Sequence, residues 1–177
     1  MNEQLIKLAL EAGAAKAEII SVDQIVMSEE FREACRKNIC GQWGKCWMCP
    51  PDVGDIYPLM AEIGTYRHGL WYQSIGELED SFDIEGMGEA KHRHVLISQK
   101  LEKLVKPLLG RHLHLSCGGC GLCERCARRD DEPCRFPDKA MASLEAYGVN
   151  VYQTTRSTKL KYINGQNTVT YFSLVLF

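Results

Sequence analysis

The chain has 177 residues, 45% hydrophobic and 25% charged, which is the balance of a globular protein with one ordinary core and excludes disordered or collagen-like classes. A net charge of −2 excludes a general electrostatic trap for nucleic acid or an anionic membrane, and no run of about 18 apolar residues offers a bilayer span. Glu11, Lys16 and Glu18 stand where the apolar core of a signal peptide would have to sit, so a cytoplasmic protein is expected.

"NEQLIKLALEAG" predicts an amphipathic helix, with Leu5, Leu8 and Ala12 on one face and Gly13 as its stop. "AEIISVDQIV" reads as a strand and "SEEFREAC" as a short helix with Ser28 at its N-cap. A Gly-rich cysteine segment ending in Pro-Pro follows and reads as loop. "DIYPLMAEIGTY" predicts a helix opening near Asp55, and "HGLWYQSI" a strand. From Glu85 to Leu109 the spacing of Ile97, Leu101, Leu104 and Leu108 predicts a long helix with those residues on its buried face. "RHLHLS" is a short strand that leads into a second cysteine segment. "PDKAMASLEAYG" reads as a helix begun by Pro137 and ended by Gly148. "VNVYQTTR" and "TVTYFSLVLF" read as strands, with "INGQN" suggesting a hairpin turn between them.

These elements predict an α/β (α+β) fold in a single domain, residues 1–177: a mixed sheet of about five strands covered by helices, carrying two cysteine-rich loops at 35–51 and 117–137. No repeat, low-complexity tract or linker separates the loops into domains of their own.

The nine cysteines carry the chemistry. Their number is odd and they fall in two clusters, which argues against a disulfide framework in a chain able to build a core. Cys117, Cys120, Cys123 and Cys126 recur every three residues, with Cys134 eight residues further on beside Pro137. That run wraps a chain around a compact inorganic core, as in bacterial ferredoxins, and Gly118, Gly119 and Gly121 let the backbone approach the sulfides. Zinc sites usually pair two separated Cys-x-x-Cys knuckles, so the spacing favours an iron–sulfur cluster and leaves zinc as the alternative. Cys35, Cys40, Cys46 and Cys49 supply enough thiols for a second centre, with Trp43 and Trp47 placed to shield it or simply to pack. His92, His94, His112 and His114 form two His-x-His pairs, a pattern commoner as packing than as ligands. Nucleotide-binding glycine fingerprints and the serine-hydrolase elbow are absent. Arg125, Arg128 and Arg129 read as a solvated loop that could also tune cluster charge or dock an acidic electron donor.

"CRKNICGQWGKCWMCPP" together with "CGLCERCARRDDEPCRFPDKAMASLEAYGVNVYQTTR" resembles a family of bacterial and archaeal predicted metal-binding proteins of unknown function, from about Ile19 to the C-terminus. The resemblance implies ligation by Cys35, Cys40 and Cys49 in one segment and by Cys120, Cys123, Cys126 and Cys134 in the other. Its Ser-x-Glu-Ala-x-Gly pattern falls on Ser143, Glu145, Ala146 and Gly148. Cys46 and Cys117 look like additions peculiar to this chain.

Three functions stay open at this point. Two 4Fe–4S clusters bound by Cys35, Cys40, Cys46, Cys49 and by Cys120, Cys123, Cys126, Cys134 would make an electron-transfer or redox accessory protein with a redox partner protein. A first cluster with three cysteine ligands would leave one iron open to a small-molecule substrate, for desulfuration or dehydration chemistry. Structural zinc would make an interaction module.

Overall fold

In the computed structural model, which describes residues 1–177, the chain opens with α1 (Asn2–Ala12), where Leu5, Ala9 and Ala12 recur at helical spacing and bury one face. It continues through β1 (Lys16–Ser21), α2 (Glu30–Arg36), α3 (Ile56–Ile63), β2 (His68–Glu77), α4 (Ile84–Val105), β3 (Leu113–Leu115), α5 (Val151–Arg156) and β4 (Thr168–Leu176). The strands form one sheet in the order β1-β2-β4-β3, and every neighbouring pair is antiparallel. The fold is therefore α/β with helices over a sheet, as expected. The strands number four rather than about five, and the sheet is antiparallel where a mixed one was expected. An isolated parallel bridge between Ser116 and Ser143 lies outside the named strands.

The missing strand is "VNVYQTTR". Its β-branched residues suggested a strand, yet Asn150 accepts a hydrogen bond from Gln153 N at 2.9 Å and starts α5. No hairpin forms across "INGQN", because β4 pairs with β2 and β3 instead. "PDKAMASLEAYG" departs further. Residues 141–144 and 146–149 are all buried, which a surface helix with one exposed face could not achieve. The segment instead runs extended past Ser116, with Ser116 N bonded to Ala142 O at 2.9 Å and Leu144 N to Ser116 O at 3.0 Å. Only Glu145–Tyr147 coil, as one 3-10 turn ended by Gly148 at φ 76°. A Cβ at Gly148 would also lie 3.1 Å from Ser28 O, a tight contact that adds to the preference for glycine set by φ.

Alternation along β2 and β4 splits the core into two layers. Trp71, Phe172, Leu174 and Leu176 face one way, where Ile63 of α3 and the buried Ala142–Val149 segment cover them. Leu70, Tyr72 and Val175 face the other way, under α1 and α4. The buried stripe of α4 is Ala90, His94, Val95, Ser98, Leu101 and Val105. Ile97 and Leu104 only flank it, and Leu108 lies beyond the helix end, 44% exposed. Following apolar residues alone displaced the expected face, because two polar side chains occupy the true one. No helix is long and apolar enough to cross a membrane.

Candidate metal centre

Both cysteine segments are shaped by turns rather than by regular structure. In the first, Asn38 at φ 54° accepts from Trp43 N through its side chain at 3.0 Å. Gly44 N then bonds Pro50 O at 3.0 Å and Cys49 N bonds Cys46 O at 2.9 Å, which curls Cys46 and Cys49 onto one side. The second segment leaves β3 through Ser116. Gly118 takes φ 57°, and a Cβ there would stand 2.9 Å from Lys91 Nζ. The positive φ favours glycine there, while the Lys91 tip is a flexible side-chain end that can shift aside.

The two segments face each other. All nine cysteines line one cavity of about 870 Å3, together with the aromatic side chains of Phe31, Trp43 and Phe136. Cys46 sits between the segments, 4% exposed, and its thiolate is stabilised by Cys49, by the N–H groups of Cys120 and Met48, and by Cys126. These hydrogen bonds outweigh burial and draw its pKa below the usual thiol range. Hydrogen bonding to Cys46 and burial push Cys49 the other way. Burial raises Cys120, although the N–H groups of Leu122 and Met141 point at its sulfur. Cys35 is raised by burial and by the proximity of Cys40.

Further contacts lock the segments together. Trp47 Nε1 donates to Glu132 O at 2.9 Å, and Arg128 pairs with Asp52 across 2.9 Å while its guanidinium lies over the Trp47 ring. Arg128 is thus a clasp between segments rather than part of a solvated loop. Buried Arg32 of α2 donates to Gly54 O at 2.7 Å and to Ala146 O at 3.2 Å, fixing the end of the Cys-Pro-Pro turn against the Glu145 turn. The sequence carries no signal for Arg32 or Asp52, since one charge among many gives no sign of burial.

All eight cysteines expected as ligands, Cys35, Cys40, Cys46, Cys49, Cys120, Cys123, Cys126 and Cys134, reach the cavity, and so does Cys117. None of His92, His94, His112 or His114 lines it. Lys91 and Glu145 do, neither of them in an ion pair, and burial raises the pKa of Glu145. No three His, Cys, Asp or Glu side chains converge closely enough to hold a single metal ion; the thiols are spread over the cavity wall. Burying several thiols together is unfavourable for their ionised forms, and a bound cation reverses that balance. The donor set, the N–H groups aimed at sulfur and the width of the cavity fit a sulfur-ligated metal cluster.

No curated protein and no solved structure matches the chain. A family model described as predicted metal-binding protein (DUF2284) matches residues 18–177, and the chain belongs to that metal-binding family.

Proposed function

We propose that the protein binds two 4Fe–4S clusters in its cysteine-lined cavity and passes electrons to or from a redox partner protein in the cytoplasm. Cys35, Cys40, Cys46 and Cys49 hold one cluster, and Cys120, Cys123, Cys126 and Cys134 hold the other. The observation that carries this reading is the gathering of all nine thiols around one wide cavity. A tetrahedral zinc site draws its four donors to about 2.3 Å from one point, whereas a cubane needs donors set apart around a volume. The nearness of Cys46 to Cys126 supports two clusters held close enough to exchange electrons. Exposed Cys40, Ile39 at 90% exposure and Phe136 at 42% give the cavity mouth an apolar rim on which a partner can dock.

The test is anaerobic purification followed by iron, sulfide and zinc analysis. Brown protein with a broad absorption near about 400 nm and matching iron and sulfide is expected. Colourless protein with stoichiometric zinc and no sulfide overturns the reading and leaves the zinc module.

A second reading is favoured by Lys91 and Glu145. An unpaired ammonium and a desolvated carboxyl beside the thiols suit an enzyme in which an open iron takes a small anionic substrate, with Glu145 moving a proton. Ligation by Cys46 separates the two readings, since it closes the first cluster.

A further inference from the structure

Arg32 is the only lysine or arginine that the fold buries, at 7% exposure. Its guanidinium donates to two backbone carbonyls, Gly54 O at 2.7 Å and Ala146 O at 3.2 Å. Nε has no partner, and no carboxylate lies within ion-pair distance. Taking a full charge out of water is costly, and buried charges are ordinarily paired. The anion that answers this one is on the same helix. Cys35 follows one turn later on α2, so the two side chains are neighbours at i and i+3, and Cys35 lines the metal cavity. Burial disfavours the charge on Arg32; the Cys35 thiolate and then Asp55 favour it, and Arg36 opposes it. A metal-bound thiol is a thiolate, so ligation at Cys35 supplies the counter-charge.

We propose that Arg32 is the counter-charge of the cluster held by Cys35, Cys40, Cys46 and Cys49, and that it makes this cluster the electron acceptor of the two. The proposal rests on the two-cluster reading given above. One-electron reduction adds a negative charge, and a desolvated cation beside it stabilises that charge and raises the potential. Arg32 acts on an exchange in which the second cluster is oxidised by one electron and the first reduced by one. No bond forms or breaks, and no proton moves.

No equivalent charge stands behind the other segment. Arg128 there is neutralised by Asp52 at 2.9 Å and by Asp131. Lys91 and Arg129 reach the cavity, but the first is only half-buried and the second exposed, so water screens both. Backbone N–H groups serve the two segments alike, from Cys120 and Met48 toward Cys46 and from Leu122 and Met141 toward Cys120. Glu145 lies near Cys35, and burial holds it toward its neutral acid. The difference between the two sides is one desolvated cation.

The test is an anaerobic redox titration of the loaded protein, followed by electron paramagnetic resonance, in the wild type, Arg32→Lys, Arg32→Gln and Arg32→Met. Gln keeps a donor for one carbonyl, and Met fills the volume, a replacement that buried ions often tolerate. In both neutral variants the higher of two midpoints is expected to fall by a factor of about ten or more in the reduction equilibrium, about 59 mV for one electron. Arg32→Lys should stay closer to the wild type. Either neutral variant suffices if the other fails to load. Loss of the cluster from both, with its retention in Arg32→Lys, also supports the proposal, because charge separates Lys from Gln. Coincident midpoints in the wild type, an unmoved higher midpoint, a fall of the lower one instead, or the same change or loss in all three variants overturns it. Iron and sulfide analysis keeps the two readings apart. Wild type that contains both, with a midpoint that Arg32 does not move, defeats this proposal alone; wild type that lacks them defeats the cluster reading itself.

Discussion

Arg128 Nε stands 2.9 Å from Asp52 Oδ1, and this ion pair joins the turn after Cys49 to the loop that carries Cys126. Asp52 is 13% exposed and Arg128 24%, with the indole of Trp47 beneath the guanidinium, so the pair is shielded from bulk water. Its role is to hold the two cysteine segments at a fixed separation. Metal ligands held by such outer contacts lose affinity when the contacts are cut.

Asp52→Asn keeps the side-chain shape and removes the charge. The variant is expected to fold and to lose metal to a chelator about tenfold faster than the wild type. Competition with a coloured chelator measures the rate. Equal rates would show that the segments need no clasp.

The second cysteine segment offers a sharper contrast. Cys117 is buried beside Ser116 and lies outside the set implied by the family pattern, whereas Cys123 lies within it. Cys117→Ser is expected to keep its full metal content, while Cys123→Ser loses a cluster and some folding stability, because ligation and folding are coupled. Metal analysis and thermal unfolding check both. Equal losses in the two variants would reassign the ligands.

The cysteine spacing alone makes a metal centre legible, because three-residue recurrence is a purely local signal. That both segments share one cavity is not legible in the sequence: it depends on Arg32, Asp52 and Trp47 reaching across the fold. The same limit shows in α4. Its buried stripe includes His94 and Ser98, polar residues whose partners, Ser74, Ser173 and Tyr72, sit on β2 and β4. Hydrophobic periodicity cannot register such positions. α5 is a different kind of miss, since the Asn150 cap is present locally but is outweighed by a run of β-branched residues.

His94 makes the fold sensitive to acid. It is 0% exposed between Ser74 and Ser173, each at 2.7 Å, and burial lowers its pKa from 6.5 to about 4. Between those values the unfolded chain binds the proton and the folded one does not, so stability falls as pH drops from about 6.5 to about 4. The shift corresponds to roughly 3 kcal/mol at full protonation of the unfolded state. Urea unfolding of metal-free protein across this range should show that loss in the wild type and a smaller one in His94→Gln. Parallel slopes would place the acid sensitivity elsewhere.

With the proposed clusters in the cavity, Cys46 is the residue that separates an electron carrier from an enzyme. The family pattern passes over it, and on that ground the first cluster would have three protein ligands and an open iron. The structure puts Cys46 at the meeting point of the segments, 4% exposed, with Cys49 three residues away in a turn and the N–H groups of Cys120 and Met48 aimed at its sulfur. Donors aimed in this way stabilise a thiolate, the form that binds metal. Ligation by Cys46 and a closed first cluster are therefore expected. Cys46→Ser should open that cluster, so that an added small thiol binds and shifts its absorption, whereas the wild type stays unchanged. If the wild type also binds the thiol, and Cys46→Ser leaves iron, sulfide and spectrum as they were, the fourth iron is open in the native protein. Glu145 and Lys91 then become the residues that meet its substrate.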